Sequence, residues 1–380
     1  MNMRDFDCSL PTLKECRTVA AAKPEFREFD RGEFIVFDYM ISNDSTFDSL
    51  VALNMRGIAF DKETDKVVSV PFHKFFNLGE REETQPHKVD LTKEHVILEK
   101  LDGSLIRTIA LPNGQYRLGT RAGITDISMM AEEFVASRPN YDAFIREKMA
   151  YGWTLMFEFC SRKNRVVIDH PEDRLVLIGA RDVITGFYKP YSDLVKGAEI
   201  YGIECVKVHI ASSDSITKVH EKIKELKGEE GVVIRFYDGQ MIKIKADDYV
   251  LKHSALDGLR SDRRVLEMVL DSAYDDILPL LDEDMSDRLV RYSSHVNSTL
   301  NGMKTMIGIS AEDIRRERHT RKEQAQEIFS SDRLKPFAPF IFQILDDREL
   351  NLVEHLKNAG RKNMIEDAKK FGICAWSDFE

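Results

Sequence analysis

Lys100 opens the run Lys100-Leu101-Asp102-Gly103-Ser104, set between the apolar segment Val96-Ile97-Leu98 and a second stretch, Ser104 to Ala110. The pattern reads as strand, lysine, strand, then a turn at Leu111-Pro112-Asn113-Gly114 and a further strand from Gln115 to Leu118. A lysine held against a sheet can be the nucleophile of a covalent intermediate, provided its ammonium sheds a proton. Two lysines far downstream, Lys243 and Lys245, alternate along one apolar strand. Cations in such places lower the pKa of a neighbouring lysine and can then hold phosphate. Taken alone, the Lys100 string suits a surface hairpin with a salt-bridging lysine just as well.

Other polar residues stand inside or beside apolar runs, where a polar group costs free energy unless it is used. In Asn54-Met55-Arg56-Gly57-Ile58-Ala59-Phe60 an arginine is expected to enter an apolar strand. Its planar fork suits a phosphate or a ribose edge, or a buried carboxylate. Asp102 is two residues from Lys100, so in extended chain both share a face, and its carboxylate can orient the lysine or a hydrated metal. Gly103 can take the φ that a sharp turn needs. Glu158, between Phe157 and Phe159, needs a partner such as a ribose hydroxyl or a magnesium-bound water, unless it faces outward. In Glu229-Glu230-Gly231-Val232-Val233-Ile234, Glu230 sits at a strand mouth, whereas Glu229 is expected in solvent. Lys243-Ile244-Lys245 directs both ammonium groups to one face, though such a string is common on its own.

The elements that must position these groups fall into two regions. Residues 30 to 254 are strand-rich, with runs at Phe34 to Phe37, Val67 to Val70, Val96 to Leu98, Ser104 to Ala110, Thr154 to Phe159, Arg165 to Ile168, Leu175 to Arg181, Gly231 to Phe236 and Met241 to Ile244. Helical spacing is interposed at Ser128 to Ala136, Tyr141 to Met149 and Ile216 to Leu226, the last with Gly228 past its end. This arrangement is α+β, antiparallel sheets with inserted helices. Beyond residue 254 the spacing turns helical, at Ser261 to Asp271, Ser286 to Leu300, Ser310 to Phe329, Lys335 to Asn358 and Asn363 to Phe371. Ser310-Ala311-Glu312-Asp313 fits a capping box that would start a helix. The expected domains are therefore 1–254 and an all-helical 255–380.

Bulk properties narrow the function classes. The chain of 380 residues is long enough for two domains, and 43% hydrophobic content supports real cores. Five scattered cysteines argue against a disulfide framework, and no Cys or His pair has structural zinc spacing. No apolar run approaches a membrane span, and the first ten residues lack an apolar leader core, so secretion is not expected. A net charge of −10 weighs against coating nucleic acid, but not against gripping it locally at a cleft.

As a set, these strings resemble the nucleotidyl transferases that work through a lysyl-nucleotide: DNA ligases, RNA ligases and messenger RNA capping enzymes. Lys-x-Asp-Gly, the Glu-bearing strand, Glu-Gly before an apolar strand and Lys-x-Lys stand in the order of that superfamily. Glu158, Glu230 and Lys243 follow Lys100 by 58, 130 and 143 residues. Arg56-Gly57-Ile58, His73-Lys74-Phe75-Phe76-Asn77, Asn164-Arg165 and Leu251-Lys252-His253-Ser254 narrow the resemblance to the tRNA-repair RNA ligases of T-even phages.

The resemblance implies a nucleotidyltransferase fold, ATP, and magnesium with manganese as a substitute. It implies adenylylation of Lys100, and nucleotide or phosphate contacts from Arg56, Lys74 and Glu99. It implies metal handling by Asp102, Glu158 and Glu230, ribose contact by Glu158, and α-phosphate contact with expulsion of pyrophosphate by Lys243 and Lys245. Relatives commonly carry a lysine after the hairpin, where this chain has Gly119-Thr120-Arg121-Ala122, and Arg121 keeps the charge with a different geometry. The implied substrate is RNA with a 5′-phosphate and a 3′-hydroxyl, a nicked tRNA anticodon loop in an infected bacterial cytoplasm, handled by a monomer. DNA ligases and capping enzymes usually carry a β-barrel after Lys-x-Lys, and the helical tail disfavours both. A non-catalytic nucleotide-binding module would form no covalent adduct. In the tail, Arg315, Arg316, Arg318, His319, Arg321 and Lys322 form a basic cluster expected on one helix, suited either to RNA or to a solvated face balanced by acids.

Overall fold

The computed structural model describes residues 7–210, 215–359 and 363–379. Contacts divide the chain into two units, Met1–Val250 and Leu251–Glu380. In the first unit the strands are β1 (Phe26–Asp30), β2 (Phe34–Tyr39), β3 (Ile58–Asp61), β4 (Val67–Ser69), β5 (Phe76–Asn77), β6 (His95–Glu99) and β7 (Ser104–Ala110). They continue with β8 (Tyr116–Gly119), β9 (Trp153–Cys160), β10 (Arg174–Asp182), β11 (Val208–Ile210), β12 (Gly231–Phe236) and β13 (Met241–Lys245). Three sheets result, in the orders β1-β2-β3-β4, β10-β9-β7-β8 and β11-β6-β12-β13-β5. Among the described residues these strands pair antiparallel except β13 with β5. With helices inserted between strands, this is the expected α+β architecture.

Side-chain alternation decides what each sheet face meets. On β9, Leu155, Phe157 and Phe159 are buried beneath the helices Asp126–Ala136, Pro139–Ala150 and Tyr191–Tyr201. Met156, on the opposite face, packs against Phe72 and Met241, and Glu158 follows it on that face by the period of two. The third sheet buries Val232, Ile234, Ile242 and Ile244 against the helix Ile216–Lys224. That helix presents Ile216, Val219 and Ile223 at spacings of three and four, and Ser215 caps it by accepting from Lys218 N. Each fully buried Val or Ile of this kind contributes about 1.5–3 kcal/mol. The same alternation leaves Lys243 and Lys245 on the other face.

Some expectations of local structure are corrected. Arg165 to Ile168 is a loop, because the amides of Val167 and Ile168 donate to Asp102 instead of to a strand ladder. Arg56 lies in the turn before β3, not within a strand. Gly103 does not take a positive φ; a Cβ there would lie 2.5 Å from the carbonyl oxygen of Phe159, so close approach is what requires glycine.

The second unit is helical, and among its described residues there is no strand. Its core gathers Leu289, Tyr292, Val296, Ile307 and Ile314 from one 35-residue helix, Glu283–Glu317, with Val265, Leu266, Ile341, Leu356 and Trp376. Ser310 does not start a helix; it lies inside this one and its hydroxyl donates to the Met306 carbonyl. The helix ends at Glu317, and the next, Arg321–Ser330, begins with a capping box between Thr320 and Glu323. The basic cluster therefore spans a helix break. Arg315 pairs with Asp347, Arg316 with Asp313, Arg318 with Glu327 and Arg321 with Asp346, so most of its charge is locally balanced.

Candidate active site

Strand register brings the distant motifs together. On β6, Glu99 stands opposite Val232 of β12, and the amide of Lys100 donates to the Gly231 carbonyl at 2.9 Å. Gly231 in turn stands opposite Lys245 of β13. Lys100, Glu230 and Lys245 thus converge at one end of the third sheet. Gly231 has φ +140, and a Cβ there would lie 2.1 Å from the Ile244 carbonyl oxygen, so only glycine lets the two strands close at this point.

The side chains follow this frame. Glu230, almost fully buried, places Oε1 2.6 Å from Lys100 Nζ and 3.0 Å from Lys245 Nζ. A cavity of about 300 Å³ opens beside them, lined by Arg56, Glu99, Lys100, Glu158, Lys243 and Lys245 among its polar residues. Phe72, Phe75, Leu98, Val206, Val233 and Met241 give it apolar walls. Apolar walls with a few convergent charged groups are the character of a small-molecule site.

Electrostatics mark the same place. Burial pushes the Glu158 carboxyl up to about 8, although the Lys100 charge opposes the shift. Burial, helped by the charges of Lys74 and Lys100, pushes the Lys243 ammonium down to about 7. Among the described residues Lys243 has no ion-pair partner, and its ammonium lies 5.8 Å from the centre of the Phe75 ring. A carboxyl and an ammonium both shifted toward neutrality in one cavity are a pattern that functional sites commonly show.

Three candidates stand elsewhere. Asp102 is buried away from the cavity lining, its Oδ1 accepting from Tyr249 at 2.6 Å and its Oδ2 from the amides of Val167 and Ile168 at 2.8 and 2.6 Å. It ties down the loop after β9 and the start of the helix Asp247–Leu259. Arg121 pairs through Nε with buried Asp38 at 2.9 Å and lies 4.2 Å over the Tyr39 ring. Lys74 lines a second, adjoining cavity, with its ammonium 5.2, 5.3 and 5.8 Å from the centres of Phe47, Phe76 and Tyr39.

Tyr249, Asp38 and Arg235 were not singled out by the sequence. Arg235 reaches the cavity from β12 and donates to the Ile178 carbonyl at 2.7 Å. An arginine between Ile234 and Phe236 was a signal of the same kind as Arg56, whereas nothing in the string around Tyr249 marks its contact with Asp102.

Among the described residues no three His, Cys, Asp or Glu side chains form a metal-holding group. Glu99 and Glu158 do line the cavity. That set fits an ion that takes one or two carboxylates and draws its other ligands from water and phosphate, the habit of magnesium.

The pattern of the RNA ligase family matches residues 54–251, which hold every residue of this cavity. A protein of Thermovibrio ammonificans, provisionally named an RNA ligase, is 28% identical over 309 residues, spanning 78% of this chain and 80% of that one. RNA ligase 1 of bacteriophage TS2126 is 26% identical over 250 residues, 62% of this chain and 61% of the phage protein. A solved archaeal ATP-dependent RNA ligase, 17% identical, superposes with a TM-score of 0.49 over 76% of this chain and 79% of its own. The match to more than half of the chain, over the residues that build the cavity, makes this protein a member of the RNA ligase family.

Proposed function

We propose that the chain seals RNA at the expense of ATP, with Lys100 as the nucleophile. The carrying observation is the convergence of Lys100, Glu158, Lys243 and Lys245 from three separate strand regions on one cavity, with Glu230 from a fourth bridging Lys100 and Lys245 beside it. Lys100 Nζ, having lost a proton, attacks the α-phosphorus of ATP; a P–N bond forms and pyrophosphate leaves. The AMP passes to an RNA 5′-phosphate, and the lysine is freed. A 3′-hydroxyl then attacks that 5′-phosphate, forming the phosphodiester and releasing AMP.

The chain's own residues divide the work. Glu230 bridges Lys100 and Lys245 through ion pairs of 2.6 and 3.0 Å. Lys243 and Lys245 face the phosphates, where pre-placed cations stabilise charge as it develops. Arg56 and Glu99 line the nucleotide cavity, and Glu158 meets the ribose. Bound magnesium or manganese would neutralise phosphate charge, with Glu99 and Glu158, which line the cavity, as its carboxylates; Glu230, held by the two lysines, would join them only once those lysines turn to phosphate. Asp102 acts through the backbone it anchors, and Arg121, paired with Asp38, shares that carboxylate's field with Arg56.

The finer reading is resealing of a broken tRNA anticodon loop in an infected bacterial cell, by a monomer. It is supported by the resemblance to phage enzymes and by a helical second unit in place of a β-barrel. The test uses labelled ATP with a divalent cation. The native protein should carry AMP on Lys100, and Lys100→Ala should carry none while still sealing RNA that already bears a 5′-adenylate. An adduct at normal yield in Lys100→Ala would sink the assignment.

A further inference from the structure

The Lys100 cavity has a neighbour. A second cavity, of about 310 Å³, lies in the same unit, and Phe75 and Met241 line both. Phe47, Phe75 and Phe76 contribute aromatic wall, and Leu50 and Leu53 apolar surface. Lys74 lines it with its charge held only by aromatic faces among the described residues, and Arg81 lies 4.7 Å over the Phe76 ring. Four carboxylates, Asp7, Asp44, Asp48 and Glu83, also line it, with Ser49, His73, Thr84 and Gln240 as neutral polar groups.

This lining discriminates between ligand chemistries. Asp48 is paired with Lys23 at 2.6 Å, which leaves Asp7, Asp44 and Glu83 against Lys74 and Arg81. A net acidic lining disfavours a free polyphosphate, so the cavity as a whole is a poor seat for a leaving pyrophosphate. Aromatic walls take a base by its face, and carboxylates accept from ribose hydroxyls and exocyclic amines. One cation, Lys74, acts electrostatically on Lys243 of the first cavity, so phosphate charge between the two cavities would meet a lysine on each side.

We propose that the second cavity holds the first nucleoside of the 5′-phosphate RNA strand while AMP occupies the Lys100 cavity. The two sites together then take the two nucleosides of a 5′-5′ pyrophosphate-linked RNA end, with the partition of Phe75 and Met241 between them. This rests on the ligase reading above and extends it to the RNA side of the second intermediate.

The experiment has two arms. In the first, RNA bearing a 5′-adenylate and 4-thiouridine as its first nucleotide is bound to the unsubstituted protein without a 3′-hydroxyl partner and irradiated. Cross-links should fall within residues 44–53 or 73–84, and cross-links confined elsewhere would overturn the proposal. In the second, Leu50→Trp fills the cavity from a half-buried position outside the catalytic groups. Self-adenylylation by ATP should stay within about twofold, while sealing of pre-adenylated RNA slows roughly tenfold or more, as misplacement of a reacting end commonly does. Unchanged sealing with a cross-link elsewhere overturns the assignment, and so does a parallel loss of self-adenylylation in a folded variant, which would make this an ATP site. If the unsubstituted protein formed no lysyl-AMP, the ligase reading itself would fall, a result separable from either arm.

Discussion

Glu230 Oε1 lies 2.6 Å from Lys100 Nζ, across the register that pairs β6 with β12. The same oxygen lies 3.0 Å from Lys245 Nζ, so one buried carboxylate bridges Lys100, the proposed nucleophile, and Lys245. Without that charge the two ammonium groups would repel, and the nucleophile would lose the contact that fixes its rotamer. The geometry therefore makes Glu230 a residue on which the lysine's alignment depends.

Glu230→Ala should slow self-adenylylation roughly 100-fold, the scale on which a misplaced reacting group commonly costs rate. The fold should survive, because Lys100 and Lys245 remain 23% and 29% exposed and can be solvated. A rapid-quench measurement of lysyl-AMP formation, with a thermal melt alongside, checks both halves. Near-native rates would show that the bridge is incidental to the chemistry.

Lys243 gives a pH dependence with a definite sign. Its ammonium is pushed down to about 7, while the unfolded chain keeps the ordinary value of 10.5. Between these values the folded state holds fewer protons, so from this group stability rises with pH across that window. Nucleotide binding runs the other way. Phosphate favours the charged lysine, so ATP binding at pH 7.5 should take up a fraction of a proton, and affinity should fall as pH rises above about 7. Calorimetry in two buffers of different ionisation enthalpy measures the uptake. Lys243→Met should abolish it, and equal uptake in that variant would assign the proton to another group.

The site was legible in sequence where a polar residue broke an apolar run. Lys100, Glu158, Glu230, Lys243 and Lys245 each sit inside or beside a strand, and the period of two told which face they take. Arg235 obeyed the same rule and escaped notice. What the string did not show was the packing of strands far apart in sequence. Asp102 reads as a partner for Lys100 at a spacing of two, yet the chain bends there and the carboxylate turns to Tyr249, 147 residues away. Arg121 likewise reads as a phosphate cation, and its contact with Asp38 depends on two sheets meeting. In the helical unit, helical spacing located the helices, but the ends were decided by competing caps. Ser310 had the right residues for a cap and lost to a continuous apolar face; Thr320, with Glu323, won.

Glu158 supplies a second pH test. Its carboxyl is raised from 4.5 to about 8 by burial. The folded state therefore binds more protons than the unfolded chain across that range, and this group's contribution to stability declines as pH rises through it. Glu158→Gln has no such charge to bury. The variant should melt close to the native protein at pH 5 and roughly 3 °C higher at pH 9. Its lysyl-AMP formation should fall at both, because the ribose contact is altered. A melting difference independent of pH would mean that Glu158 is ionised in the folded protein throughout.

The last prediction concerns the two units. The carboxylates and cations of the proposed nucleotide site lie before Val250, and Tyr249 donates to Asp102. The helix carrying Tyr249 runs on to Leu259, so a protein ending there keeps that helix whole. Such a protein should still form lysyl-AMP at a rate within about threefold of the full chain, since the groups that set the barrier are retained. Substrate choice should suffer instead. Phosphate contacts give affinity without sequence information, and structured RNA is recognised by shape over a wider surface than the nucleotide cavity offers. The measurement is the ratio of sealing rates on a broken tRNA anticodon loop and on an unstructured oligonucleotide of equal length, for both proteins, after circular dichroism has shown that the shortened one is folded. The ratio should fall toward one on truncation. A folded, shortened protein with the ratio of the full chain would remove the helical unit from substrate choice and leave discrimination to the strand-rich unit.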